Sequence, residues 1–198
     1  IGSGIGRMTC GFTRIFGAVV ACDLDAGFLE RCRETVARFG KVDRLRTVEV
    51  ADARSLDIAD DSADVVFSYI TLQHCDHDDA LSLVAESVRV ARSGGRIALN
   101  FRSRSSADVV ALPAGAVVRG LFRVPGLGDV LSRRRTLTRL AWQANRVRPA
   151  EVLDAVGTRL TDVAIWRHPD GTVGDARART ETFPGLNRHH WWLVADVV

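Results

Sequence analysis

The residues of this chain best suited to chemistry stand out by type and spacing. They are glycines 2, 4 and 6 in Ile1-Gly2-Ser3-Gly4-Ile5-Gly6-Arg7, aspartates at 23 and 52, and a histidine at 74. Glycines at alternate positions, ahead of a run able to start a helix, let the backbone turn tightly and approach a ligand with no side chain in between. Asp23 follows Gly2 by 21 residues, close to the roughly 20 that separate a glycine turn from an acidic residue holding a ribose through both hydroxyls. A nucleoside-bearing ligand is therefore expected here. Asp52 is placed to accept from the exocyclic amine of a base, or is a solvated loop aspartate. A histidine titrates near neutral pH, and His74 is the candidate general base, against the alternative of a helix-start residue with a structural hydrogen bond. His77, His189 and His190 are further candidates, and the acidic run at 76, 78 and 79 reads as helix capping rather than a metal cluster.

Periodicity supplies the elements that must position these groups. Residues 8–16 form a short helix stopped by Gly17, and 18–22 are an apolar strand closing on Asp23. Residues 26–39 carry Phe28, Leu29, Cys32, Val36 and Phe39 at helical spacing, with Gly40 as the stop. Residues 45–50 form a strand leading to Asp52-Ala53. Residues 63–72 suit a strand buried on both faces, and 78–91 a helix broken by Ser93-Gly94-Gly95 before a strand over 96–101. Residues 109–118 and 121–131 read as short helices, and Pro149 begins another that ends at Gly157. Two strands close the chain at 160–167 and 190–198, read as an antiparallel edge. This alternation predicts an α/β, doubly wound, mostly parallel sheet with helices on both faces and an antiparallel last strand. In such a sheet the ligand lies outside the carboxyl ends of the strands, and Gly2 to Gly6, Asp23, Asp52 and residues 68–74 all fall there.

At 198 residues, 46% hydrophobic and 26% charged, the chain suits one globular domain. Its composition is neither disordered nor membrane-like, and no run approaches the 18 apolar residues of a membrane span. Cys10, Cys22, Cys32 and Cys75 form no Cys-x-x-Cys pair, so buried reduced thiols and a cytoplasmic location are expected. The formal net charge of +3 is unevenly spread, with ten arginines and two aspartates between residues 102 and 148. The sequence begins with Ile, and a glycine turn of this kind ordinarily leaves the end of a buried strand. We expect that first strand upstream, and marginal folding and weak ligand binding without it.

Together, the Gly2-x-Gly4-x-Gly6 loop, Asp23, Asp52-Ala53 and the run from Asp64 to His74 resemble the class I S-adenosylmethionine-dependent methyltransferases. Nicotinamide-binding folds want Gly-x-Gly-x-x-Gly, but the sixth place from Gly2 is Arg7. The resemblance covers residues 1–101, and the closing strand pair fits the family's reversed seventh strand. It implies S-adenosyl-L-methionine as cofactor. Gly2, Ser3, Gly4 and Gly6 would lie against its methionine and ribose portion, Asp23 would hold the ribose diol and Leu24 would pack on the adenine. Asp52 and Ala53 would meet the adenine amine, while Ser68, Tyr69 and Ile70 would line the sulfonium end. Residues 1–102 would form the cofactor-binding core, 103–148 a basic substrate cover and 149–198 the closing elements. The expected reaction is methylation of a small molecule, an oxygen acceptor slightly favoured; a nucleotide-dependent oxidoreductase and a non-catalytic cofactor-binding module stay open. The arginines suit an anionic or carrier-linked substrate, a peripheral contact with an anionic membrane through 103–148, or a solvated face. Scarce aromatics there argue against nucleic acid.

Overall fold

A computed structural model describes residues 1–104, 108–126, 128, 131, 137 and 145–198. The elements run α1 (Arg7–Ile15), β1 (Val19–Asp23), α2 (Ala26–Phe39), β2 (Leu45–Glu49), β3 (Ala63–Ser68), α3 (His77–Val90), β4 (Ala91–Arg102), α4 (Asp108–Phe122), α5 (Pro149–Val156), β5 (Leu160–Arg167), β6 (Arg179–Thr182) and β7 (His190–Val197). Local chemistry explains the best-defined boundaries. Asp25 caps α2 by accepting from Phe28 N at 3.1 Å, and α2 ends as Gly40 N donates to Val36 O at 2.7 Å, satisfying end groups that a helix leaves bare.

The strands form two sheets. β1 and β2 pair in parallel, and β3-β4-β7-β5-β6 make a five-stranded mixed sheet. β7 runs antiparallel to both neighbours, β4 and β5, while β6 pairs parallel to β5 at the rim. The expected antiparallel edge is thus corrected. The last strand of the sequence is interior, its Trp191, Leu193, Ala195 and Val197 each no more than 1% exposed, and the edge is β6.

One large core packs this sheet against α3 and α5, through Leu83, Val84, Val88, Ile97, Leu99, Phe101, Val152, Ile165 and Trp191. Burying each such side chain contributes roughly 1.5–3 kcal/mol. The Phe101 and Trp191 rings stack 4.4 Å apart. A smaller cluster of Cys10, Ala21, Cys32 and Val36 joins α1, α2 and β1. All four cysteines are buried free thiols. Gly6 sits at φ 84° where α1 meets α2, and a Cβ there would come within 2.9 Å of Cys32 Sγ, so the third glycine of the loop serves helix packing.

Between β1 and β3 runs a slot of about 1010 Å³, walled by Val19, Val20 and Ala21 on one side and Val65, Val66 and Phe67 on the other. At its carboxyl end residues 1–3 bridge the two strands. Gly2 N and Ser3 N donate to Cys22 O at 2.8 and 3.0 Å, and Ile1 N to Phe67 O at 2.7 Å.

Three further boundaries differ from the sequence expectation. β3 stops at Ser68, because Ile70 takes φ 61° and leaves the extended region; Val65 is 45% exposed toward the slot, so this strand is not buried on both faces. Residues 93–95 do not separate helix from strand. β4 starts at Ala91, and its register against β3 shifts between Ala91 and Arg96. α4 runs through Pro113 to Phe122, past the expected end at 118; residues 127 and 129–130 of the second expected helix, and Arg133 to Arg135, lie outside the described residues.

Asp108, opening α4, and Arg146 form a two-pronged ion pair at 3.0 and 3.1 Å, with side chains only 8% and 3% exposed. Removing one partner of a buried pair leaves the other charge uncompensated, at a cost of about 3–5 kcal/mol. Asp108→Ala is therefore expected to lower unfolding stability by about 3 kcal/mol, read as a shift of the urea midpoint.

Candidate functional site

The glycine loop, the ends of β1 and β2 and the turn after β3 converge on a cavity of about 270 Å³, near the lower end of the range for small-ligand sites. Its walls include Gly2, Gly4, Asp23, Leu24, Phe28, Ala53, Ile70, Thr71 and His74. It meets the slot at Ile1, Gly2, Gly4, Phe28, Ile70 and Thr71, which line both.

Asp23 ends β1 with its carboxylate turned back on the loop. Oδ2 accepts from Gly4 N at 2.7 Å and Oδ1 from Asp25 N at 3.2 Å. Each oxygen keeps lone-pair capacity beyond one such bond, so Asp23 both sets the loop and presents an acceptor to the cavity. Gly4 holds φ 50°, and a Cβ built on it meets nothing within 4 Å. The loop backbone there faces open space, as the approach of a ligand to bare backbone requires. Leu24, 51% exposed, offers an apolar edge beside it.

Asp52, Ser68, Gly6 and Ser3 are not among the residues lining this cavity. Asp52 is outside the cavity walls, and its carboxylate is used in its own turn, accepting from Arg54 N, Ser55 N and Ser55 Oγ at 2.7–2.9 Å. These bonds, the Ser55 hydroxyl first, hold its carboxyl down to about 2. Asp52 instead shapes the turn that brings Ala53, at φ 61°, to the wall. Ser68 is fully buried, its hydroxyl donating to Ile1 O at 3.3 Å. Gly6 lies under the loop. Ser3 lines only the slot side.

Tyr69 stacks on Trp192 of β7, centroids 5.5 Å apart and planes 5° off parallel. Ile70 follows with its positive φ. For a β-branched residue that conformation costs on the order of 1–3 kcal/mol and persists only where neighbours over-determine it. Ile70 N donates to Asn100 Oδ1 at 3.3 Å.

His74 lies on the cavity wall, with its Nε2 at 3.2 Å from Gln73 Nε2. An amide nitrogen can only donate, so Nε2 is the acceptor in that pair, and a base role would require that lone pair to be released. His77 Nδ1 meets Asn145 Oδ1 at 3.2 Å. Asp76 holds the N-cap position of α3 without a side-chain cap bond, and Asp79 pairs with Arg54, so the capping expectation fails at the side chains. Among the described residues no group of His, Cys, Asp and Glu could hold a metal ion, and no helix is long and apolar enough to cross a membrane.

Sequence reasoning underrated His190 and passed over Asn100. Both are buried, and His190 Nδ1 lies 3.0 Å from Asn100 Oδ1. A histidine opening an apolar strand gives little sign of a partner 90 residues away; only the strand register joins them. Burial, then the charges of Arg102, His189, Arg146 and His74, push the His190 imidazole down to about 4.

An unfolded histidine titrates near pH 6.5. Between that pH and about 4 the unfolded chain binds the additional proton, so stability rises with pH over this window. The His190 contribution is fully present above about pH 6.5 and is lost as pH falls toward 4. We expect the wild type to lose on the order of 2 kcal/mol more than His190→Asn between pH 7 and 4, measured by urea unfolding of both proteins across that range.

Residues 1–99 match the model of the methyltransferase domain family. The curated relative Methyltransferase GfsG of Streptomyces halstedii is 32% identical over 173 residues, which are 86% of this chain and 56% of the relative. The chain thus spans little more than half the length of that protein. Among solved structures, the fold is similar to S-adenosylmethionine-dependent methyltransferase SibL, with TM-score 0.58, 18% identity, and coverage of 98% of this chain and 48% of that one. It is similar as well to magnesium protoporphyrin IX methyltransferase of Synechocystis PCC 6803 with bound S-adenosylhomocysteine, with TM-score 0.55, 14% identity, and coverage of 98% and 71%. The Asp23-braced glycine loop, the cavity at the carboxyl ends of the strands and the domain match over residues 1–99 lead to one assignment: the chain belongs to the class I S-adenosylmethionine-dependent methyltransferase family.

Proposed function

We propose that this chain carries a methyl-transfer site for a small-molecule acceptor, oxygen slightly favoured over nitrogen or carbon. The observation that carries the reading is the cavity where the Asp23 carboxylate and the open Gly4 backbone meet the Ile70 turn. These residues fit the cofactor. Asp23 has capacity for a diol, Leu24 and Phe28 offer apolar surface for an adenine, and Gly2 and Gly4 leave backbone free beside the methionine portion. S-adenosylmethionine supplies a methyl already activated on its sulfonium, so alignment and exclusion of water are the main demands on the protein. Ala53 would back the adenine end, and Tyr69 and Ile70 would orient the transferring end from the turn after β3. His74, on the wall between that turn and α3, is placed to take a proton from a hydroxyl acceptor.

The acceptor reading extends to charge. Arg102, at the end of β4, is half-buried, and the carboxylate acting on its guanidinium is Asp108, already paired with Arg146. Burial first, then the neighbouring Arg146, pull its guanidinium below the usual value. A guanidinium in that setting favours a carboxylate or phosphate as its counter-ion, which supports an anionic or carrier-linked acceptor.

Isothermal calorimetry tests the donor assignment on a protein containing this chain. Binding of S-adenosylhomocysteine with none of NAD is expected, and the reverse result overturns the reading. Asp23→Ala is expected to weaken that binding at least about 100-fold, as loss of a charged acceptor with two ribose bonds implies; unchanged affinity rules out Asp23 as the ribose ligand. His74→Ala is expected to lower turnover about 10²-fold, the lower end of general-base effects, with the acidic limb of the pH profile removed. Equal turnover across pH excludes His74 as base.

A further inference from the structure

We infer that His190 is a positioning residue for the methyl-donor cavity, acting through Asn100 on the backbone of Ile70. The inference rests on the methyl-donor reading of that cavity.

Three elements meet at the Asn100 amide. Its Oδ1 accepts from Ile70 N at 3.3 Å and from His190 Nδ1 at 3.0 Å, and its Nδ2 donates to Trp191 O at 3.2 Å. The backbone partners remove any ambiguity in the amide orientation, since Ile70 N can only donate and Trp191 O can only accept. The imidazole must then donate through Nδ1–H, and Nε2 is left as the deprotonated nitrogen. The low-lying His190 titration keeps that single-proton form at pH 7. Asn100 is 1% exposed and His190 9% exposed, so water does not compete for these bonds.

The target of the relay is the strained point of the site. Ile70 holds φ 61° and lines both the cavity and the slot. Its neighbour Tyr69 is fixed by Trp192, also on β7. The turn after β3 is therefore held from β4 and β7 as well as by its own bonds, Thr71 Oγ1 to Tyr69 O and His74 N to Thr71 O. Without the histidine donor, Oδ1 loses one of its two partners, the amide is free to rotate, and Ile70 N–H loses a fixed acceptor. His190 touches neither cavity wall, so its effect on the donor would pass through this backbone.

His190→Leu removes the donor, whereas His190→Asn keeps an N–H at the place of Nδ1. Hydrogen exchange over residues 69–72 is expected to quicken about 10-fold in His190→Leu, and S-adenosylhomocysteine affinity to fall about 5- to 10-fold, as loss of one buried hydrogen bond implies. His190→Asn is expected to restore both to within about threefold of wild type. Long-range ¹H–¹⁵N correlation on the wild type should place the imidazole proton on Nδ1 at pH 7. A proton on Nε2, wild-type exchange in His190→Leu, or an Asn variant as fast as the Leu variant each overturns the inference. The tautomer measurement needs no variant, so it decides even where His190→Leu fails to fold. A wild type that binds no S-adenosylhomocysteine overturns the methyl-transfer reading instead, and leaves exchange and tautomer to judge the relay.

Discussion

The structure depends on a short ladder at the head of the glycine loop, where Gly2 N and Ser3 N reach Cys22 O and Ile1 N reaches Phe67 O. Among the described residues these are the backbone hydrogen bonds that join the two-stranded sheet to the five-stranded one. They place the loop beside the end of β1, so that Asp23 can brace Gly4, and beside the end of β3, so that the Ile70 turn faces the same cavity. Below this point the strands separate into the slot; above it their carboxyl ends converge. A doubly wound sheet binds its ligand where neighbouring strands feed helices in opposite directions, and this ladder sits at that place.

The surroundings of the site differ sharply from one side to the other. The cofactor side is apolar and backbone-lined, its main charge being the Asp23 carboxylate. On the side toward β4 and β7, Gln73, Asn100, Asn145, Arg146 and His190 form a buried polar layer beside the half-buried Arg102, and among the described residues the anion buried with them is Asp108. Such a layer is costly in a low-dielectric setting unless its members are bonded or neutral. Asn100 is bonded on both ends, Arg146 is paired, and His190 gives up its charge. Arg102, Gln73 Oε1 and Asn145 Nδ2 are the groups left with a demand that solvent or a ligand must meet.

Much of this was readable from residue order. Helix α2 matches residue for residue because an Asp25 cap, an apolar stripe and Gly40 all agree, and β5 because its run is bounded by turn chemistry on both sides. The Gly2-to-Asp23 spacing led to the loop and its brace. Position at a strand end cannot reveal that Ser55, three residues on, bonds the Asp52 carboxylate. Gly6 was read as a ligand contact, and its packing on Cys32 of a later helix is a tertiary contact no local pattern carries. Helix α4 runs through Pro113 and Gly120, which as local signals argue for interruption. His190 and Asn100 meet only through the pairing of β4 with β7.

That pairing has a consequence for how the chain acquires its structure. β7 is last in the sequence and yet lies between β4 and β5, so contacts such as Arg96 with Asp196 close a loop of 100 residues. Contacts of such separation repay their loop-closure entropy only late, and they slow folding. During synthesis β4 and β5 must emerge with bare, partly apolar edges and wait for residues 190–197. Until then the nascent chain offers two strand edges to any extended neighbour. The commitment step is thus set by the arrival of the most fully buried of the described strands.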